Sequence, residues 1–335
     1  MNNSPVSRYD LATWCLFTGA LLLLLILKLL PALLAGLLVY ALVNVLVPKL
    51  RTPTVDRSRL LAVTLIAMVV ITLITMAGFG LVSFLRGGGE NIPGLIQRMA
   101  EIIENSRGRL PAWLLQYLPA DADALREVLV NWLRGHTDMF QVAGAGLGRV
   151  FAQILIGMVI GALLSLESAV PGGDRGPLSL VFAQRALRLV SAFRRVVFAQ
   201  VWISTINTIF TSLYLVLVLP GFGVNLPFTK TLIIITFIVG LLPILGNLIS
   251  NTVIFIVSLS QSLNVALMSL TYLIIIHKLE YFLNARIIGV HIHARAWEML
   301  IAMLVMEAAF GIPGLIAAPI FYAYLKDELR AKGLI

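Results

Sequence analysis

Charge is scarce in this chain and cysteine is nearly absent. Only 12% of the 335 residues are Asp, Glu, Lys or Arg, about half the share of an ordinary soluble domain. The hydrophobic share is 59% with a mean hydropathy of +0.97, and a composition of this kind excludes a soluble globular enzyme. The single cysteine, Cys15, lies in the first apolar run, which excludes an intrachain disulfide and a thiolate metal cluster. Hydrolase and nucleotide signatures are missing too: there is no G-x-S-x-G, no H-E-x-x-H and no G-x-x-x-x-G-K. Without an ATP-binding loop the chain is no primary pump. Without a catalytic constellation it reads as a non-enzyme that calls for no cofactor.

What the chain does have is leucine. Runs such as Leu16–Leu30 and Val150–Leu166 nearly meet the bilayer's requirement of about 20 apolar residues, and they recur. The fold class is an all-α polytopic membrane protein. Arg8 followed by Leu11–Leu30 has the outline of a signal peptide, but no small-residue cleavage site follows, so it reads as the first retained span. Uninterrupted spans are Leu11–Leu30, Ala32–Val47, Leu60–Leu85, Gln141–Leu166, Ala199–Leu219 and Leu263–Leu283. Segments 229–260 and 297–325 are different. Pro243-Ile-Leu-Gly246-Asn247 interrupts the first, and Gly311-Ile-Pro313-Gly314 the second. Each half is too short for a hydrocarbon core about 30 Å thick. Pro and Gly supply a break that suits a re-entrant hairpin.

Loop charge tests this topology. With the N-terminus and Arg8 cytoplasmic, the loops carrying Lys49, Arg51, Arg57 and Arg59, and then Arg175, Arg185, Arg188, Arg194 and Arg195, fall inside. If 229–260 is a hairpin entered from outside, Arg286, Arg295, Lys326, Arg330 and Lys332 fall inside as well. Most of the 25 Lys and Arg are then cytoplasmic, as the positive-inside rule asks. The preferred reading is six transmembrane helices plus two broken re-entrant hairpins, with both termini cytoplasmic. Eight full spans, which would move Arg286 and Arg295 outside, are the alternative. The formal charge of +9 is thus an orientation signal and not a sign of a nucleic-acid partner.

The chain divides into residues 1–85 (three spans), 86–140 (an external helical insert), 141–166 (the fourth span), 167–198 (a basic amphipathic cytoplasmic helix) and 199–335 (a transport core). In the insert, Ile92, Leu95, Ile96, Met99, Ile102 and Ile103 keep amphipathic helical spacing, as do Leu125, Val128, Leu129, Trp132 and Leu133. In 177–198, apolar residues mixed with four arginines read as a helix on the anionic inner leaflet, leading into the fifth span. Gly157-x-x-x-Gly161 reads as a close-packing face. That face and the amphipathic insert make a homo-oligomer the expectation.

Candidate path residues follow from polarity at depth. Asn247 and Asn251 share a helix face beyond the first break, where amides serve freed carbonyls or a polar solute. Glu307 is four residues before the second break, with no cation within a helical turn, and an intramembrane carboxylate is a functional candidate by default. Glu280 precedes Asn284 by one turn. Lys278 beside it reads as a snorkelling side chain. His291-Ile-His293, with His277 before it, lacks a third ligand fixed by spacing and reads as a solvated loop, so no metal site is expected. Two interrupted segments in one half of a chain are the pattern of a midplane binding site.

From Pro220 onward the features come in a recognisable order: Pro220-Gly221-Phe222, Leu242-Pro243-Ile-Leu-Gly246, Glu280 with Asn284-Ala-Arg286-Ile-Ile-Gly289, and Gly311-Ile-Pro313-Gly314 with Ala318-Pro319. In these motifs and in its layout the chain resembles the autoinducer-2 exporter (AI-2E) family of bacterial permeases. It departs at Met306-Glu307-Ala308, where the family has a short glycine run. The resemblance implies a multi-pass protein of the bacterial inner membrane and a secondary transporter exporting a small polar molecule, with Glu280 matching a family glutamate. The alternative within transport is Na+(Li+)/H+ antiport. The alternative of another class is a non-transporting membrane scaffold that binds partners through the external insert.

Overall fold

The computed structural model describes residues 8–50, 54–87, 137–167, 176–242, 245–292 and 295–334. Among them every regular element is helical: α1 Arg8–Ile26, α2 Leu30–Leu46, α3 Val55–Gly87, α4 Thr137–Glu167 and α5 Pro177–Leu213. These are followed by α6 Thr229–Gly240, α7 Leu245–Leu259, α8 Leu263–Ile292, α9 Ala296–Phe310 and α10 Ile312–Ala331. Most of the expected insert, and residues 168–175 before the basic helix, lie outside the described residues. Five described helices are long and apolar enough to cross a membrane: Arg8–Ile26, Leu30–Lys49, Val55–Met76, Gly148–Glu167 and Pro177–Gly221. Large apolar side chains such as Leu23, Ile71, Leu73, Ile156 and Leu163 stand exposed along them. A water-soluble protein rarely leaves so much apolar surface uncovered; in lipid it is the expected outer face.

The basic helix and the fifth span are one continuous helix. Between Pro177 and Pro220 the sequence holds neither Pro nor Gly, so nothing ends α5. A π-turn over Tyr214–Val218 leads into Leu219–Gly221. Pro220 cannot donate and crowds the preceding turn, a recognised cause of such a register change. The charged residues of α5 end at Arg195, about 36 Å of helix before Leu219.

The chain forms two compact units. Met1–Thr75, Gly144–Ala199 and Ile287–Ile335 make up the first, and Met76–Ala143 with Gln200–Arg286 the second. In the first unit, Phe17 and Leu21 of α1 pack with Leu189, Phe193 and Val196 of α5 and with Ile320 and Tyr324 of α10. There α2 and α4 cross through small residues. A Cβ on Gly157 would lie 2.7 Å from Ala32 Cα, and one on Gly161 would lie 2.8 Å from Gly36 Cα. The small-x-x-x-small face thus serves packing within the chain. In the second unit, Tyr214, Leu215 and Leu219 pack with Leu232, Ile254, Val257, Val265 and Leu273 of α6, α7 and α8.

Both interrupted segments fold back as helical hairpins. α6 packs on α7, and α9 packs on α10. At 12 and 15 residues, α6 and α7 are about 18 and 22 Å long, short of a full crossing.

Candidate functional site

The first hairpin turns between α6 and α7, and its tip is met by one face of α5. Gln200, Ser204, Asn207 and Thr211 recur at helical spacing in an otherwise apolar stretch. The last carbonyls of α6 have no helical partner, and this face supplies some. Ser204 Oγ donates to Phe237 O at 2.7 Å and Gln200 Nε2 to Gly240 O at 2.8 Å. Glycine at the tip is a matter of space: a Cβ on Gly240 would lie 2.6 Å from Ser204 Oγ, and one on Gly246 would lie 2.7 Å from Gly240 Cα and strike the Val239 carbonyl.

Asn247, in the first turn of α7, is held from two sides. Asn207 Nδ2 donates to Asn247 Oδ1 at 2.9 Å, and Asn247 Nδ2 lies 3.2 Å from His277 Nδ1 on α8. Asn207 is buried, Asn247 half-buried and His277 exposed. Asn251, one turn further along α7, is half-buried. Towards the hairpin's open end the polar contacts are structural. Tyr214 and Tyr272 stack with ring centroids 4.1 Å apart, and the Tyr214 hydroxyl lies 3.0 Å from Ser269 Oγ, which accepts from Ser258 Oγ at 2.8 Å. Tyr272 donates to Phe210 O at 2.9 Å, one turn before the π-turn.

The second hairpin belongs to the other unit. Its turn is Gly311, at φ 66° and ψ −147°, a region that only glycine occupies without strain. Pro313 lies in the first turn of α10, where its missing N–H costs nothing. A Cβ on Gly314 would strike the Met306 carbonyl and come within 3.0 Å of Phe310 Cβ. The open end is tied by Glu298, which accepts from Lys326 Nζ at 2.5 Å and from the Tyr322 hydroxyl at 2.8 Å. The start of α9 and the later part of α10 therefore stand side by side. Glu307, four residues before the turn, is exposed, so the chain itself does not bury its carboxylate.

A buried ion network, invisible to the sequence reading, joins α1, α5 and α10 in the first unit. Arg185 is 1% exposed and Glu328 3%. Arg185 Nη1 is paired with Glu328 Oε1, and Arg185 Nη2 lies 3.4 Å from Asp10 Oδ1. Glu328 also accepts from Arg188 at 2.7 Å and from Trp14 Nε1 at 3.0 Å, and Lys332 pairs with Asp10 at 2.7 Å. Asp10 in the first turn of α1, Arg185 on α5 and Glu328 near the end of α10 thus meet in the first unit. Three arginines of the basic stretch, Arg185, Arg188 and Arg195, are partnered by the chain's own carboxylates, Arg195 by Asp327.

Of the expected path residues, Asn247 and Asn251 lie at the first tip, and Glu307, Gly311, Pro313 and Gly314 at the second. Glu280 and Asn284 lie on the last third of α8, where only the backbone is described, and Pro243 lies outside the described residues. Asn207 and His277 were not among the expected path residues. The signal for Asn207 was present as the polar i, i+4, i+7 series in an apolar span. Among the described residues no His, Cys, Asp and Glu side chains are grouped to hold a metal ion.

A family model described as AI-2E family transporter matches residues 11–332. No curated protein and no solved structure matches the chain. Interrupted apolar helices folded into glycine-tipped hairpins, together with a match over nearly the whole length, settle the assignment. The chain belongs to the AI-2E transporter family.

Proposed function

We propose that this secondary transporter moves a small polar molecule past the hairpin tips, with Asn247, Asn251, Glu280, Asn284 and Glu307 along its path. The observation that carries the proposal is the first tip. There an amide pair, Asn207 and Asn247, lies beside a half-helix end whose carbonyls are served by side chains and not by a continuing helix. Interrupted helices place unwound backbone and half-helix ends where a solute can use them. The energy source is an ion gradient or the solute's own gradient, and hairpin movement gives alternating access.

In this reading the chain is not an enzyme. It sits in a bacterial inner membrane with six spans, two re-entrant hairpins and both termini cytoplasmic, and it works as a homo-oligomer. The Glu298–Lys326 pair supports the hairpin topology, because it holds the two open ends of 297–325 together. The exposed Glu307 carboxylate favours a second reading, Na+(Li+)/H+ antiport.

The test is flux in proteoliposomes under imposed pH, sodium and lithium gradients, with an internal pH dye and a panel of polyhydroxylated solutes as probes. Solute movement that Gly246→Leu abolishes while the protein stays in the membrane supports the first reading. Proton movement that requires lithium or sodium, and no organic solute, supports the second.

A further inference from the structure

We propose that His277 is a proton-binding site whose protonation reverses the hydrogen-bond polarity of Asn247 and Asn207, an inference that rests on reading the first tip as part of the solute path. The three side chains come from three helices and form one line. Asn207 Nδ2 donates to Asn247 Oδ1 at 2.9 Å, and Asn247 Nδ2 meets His277 Nδ1 at 3.2 Å. An amide nitrogen only donates, so Nδ1 accepts, and the neutral ring carries its hydrogen on Nε2. All donors in the line therefore point from α5 towards α8.

A proton taken from water onto Nδ1 makes that nitrogen a donor. It then faces the Asn247 amide nitrogen, which cannot accept. Asn247 must turn its amide over to present Oδ1. Its nitrogen then faces the nitrogen of Asn207, which must turn over as well. The line now donates from α8 towards α5, with these two hydrogen bonds remade in the opposite direction. Asn207 is 6% exposed, and an amide left unmet at such a site is destabilising. The two amides therefore turn together. The side of Asn207 away from Asn247 changes from carbonyl oxygen to NH2. A hydroxyl, ammonium or metal cation held by that oxygen and a proton on His277 exclude one another.

Among the described side chains of α5, α6 and α7, few carry a fixed charge. α5 beyond Arg195 and all of α7 carry no ionisable charge, and α6 carries only Lys230, in its first turn and far from the tip. On α8 itself the neighbours are Lys278 and Glu280. His277 is exposed in the chain.

The test follows the side-chain amides themselves. The full chain, labelled with 15N-asparagine, is titrated by NMR in detergent or lipid from about pH 5 to pH 8. The Asn207 amide, identified by its loss in Asn207→Ser, is expected to shift with pH. It is expected to stop shifting in His277→Gln, which keeps an uncharged side chain there, and in Asn247→Leu, which cuts the line. An Asn207 signal that ignores pH, or that still responds in His277→Gln, overturns the proposal; if Asn247→Leu does not fold, His277→Gln decides alone. These signals need no solute. A relay intact in a protein that moves nothing would count against the path, and a silent Asn207 in a protein whose Gly246→Leu variant loses flux would count against the relay.

Discussion

Glu328→Gln removes one charge from the buried network while keeping its shape, and the structure sets the expected cost. Glu328 receives Arg185, Arg188 and Trp14. Once it is neutral, the Arg185 guanidinium, 1% exposed, keeps only Asp10 at 3.4 Å as a charged partner. Breaking a buried pair from one side costs about 3–5 kcal/mol, because the remaining charge stays out of water. Arg195→Ala supplies the control. Its pair with Asp327 is 29% exposed on both sides, and pairs of that kind are worth about 0–1 kcal/mol. The triple variant Asp10→Leu, Arg185→Met, Glu328→Leu removes the three most buried charges together, leaves Arg188 and Lys332, 30% and 16% exposed, to turn towards solvent, and should recover most of the loss, since apolar replacement of a buried network is often neutral or stabilising by about 1–4 kcal/mol. The measurement is the half-life of monodisperse detergent-solubilised protein at a fixed temperature, which suits irreversible unfolding. Equal half-lives for Glu328→Gln and Arg195→Ala would refute the reasoning.

Leu at Gly246 or Gly314 should impair flux in proteoliposomes while membrane insertion is retained, because each Cβ would strike the carbonyl of the opposing half-helix; normal flux in both would remove the tips from the path. Gly311→Ala should shorten the thermal half-life by an amount equivalent to about 1–3 kcal/mol, the strain of a side chain at that backbone conformation, and an unchanged half-life would contradict it. Glu307→Gln should leave stability within about 0.5 kcal/mol, as for an exposed position, and abolish the pH dependence of flux if this carboxylate exchanges protons. A cysteine at Val290 in a Cys15→Ser background should react only with reagent on the cytoplasmic side, and labelling from outside would favour eight spans.

Membrane helices and hairpin breaks were legible because their signals are local. An apolar run states its own length, and clustered Pro and Gly, as at Gly311-Ile-Pro313-Gly314, mark where a helix turns back. The small-residue spacing at Gly157 and Gly161 was likewise legible as a packing face, although only the fold shows that Ala32 and Gly36 are its partners. The basic stretch runs into the fifth apolar run as one helix, because no Pro or Gly stands between Pro177 and Pro220.

By itself the sequence determined an apolar, helical, multi-pass chain with two interrupted hairpins and a family signature, because hydrophobic length and backbone breakers act over a few residues. The tertiary structure alone decided which polar groups meet. Asn247 finds partners 40 residues before it and 30 after, and Arg185 reaches carboxylates 175 residues before it and 143 after. Nothing in local spacing encodes such pairs. They form because a polar group removed from water must be satisfied by whatever the packing of helices brings within reach.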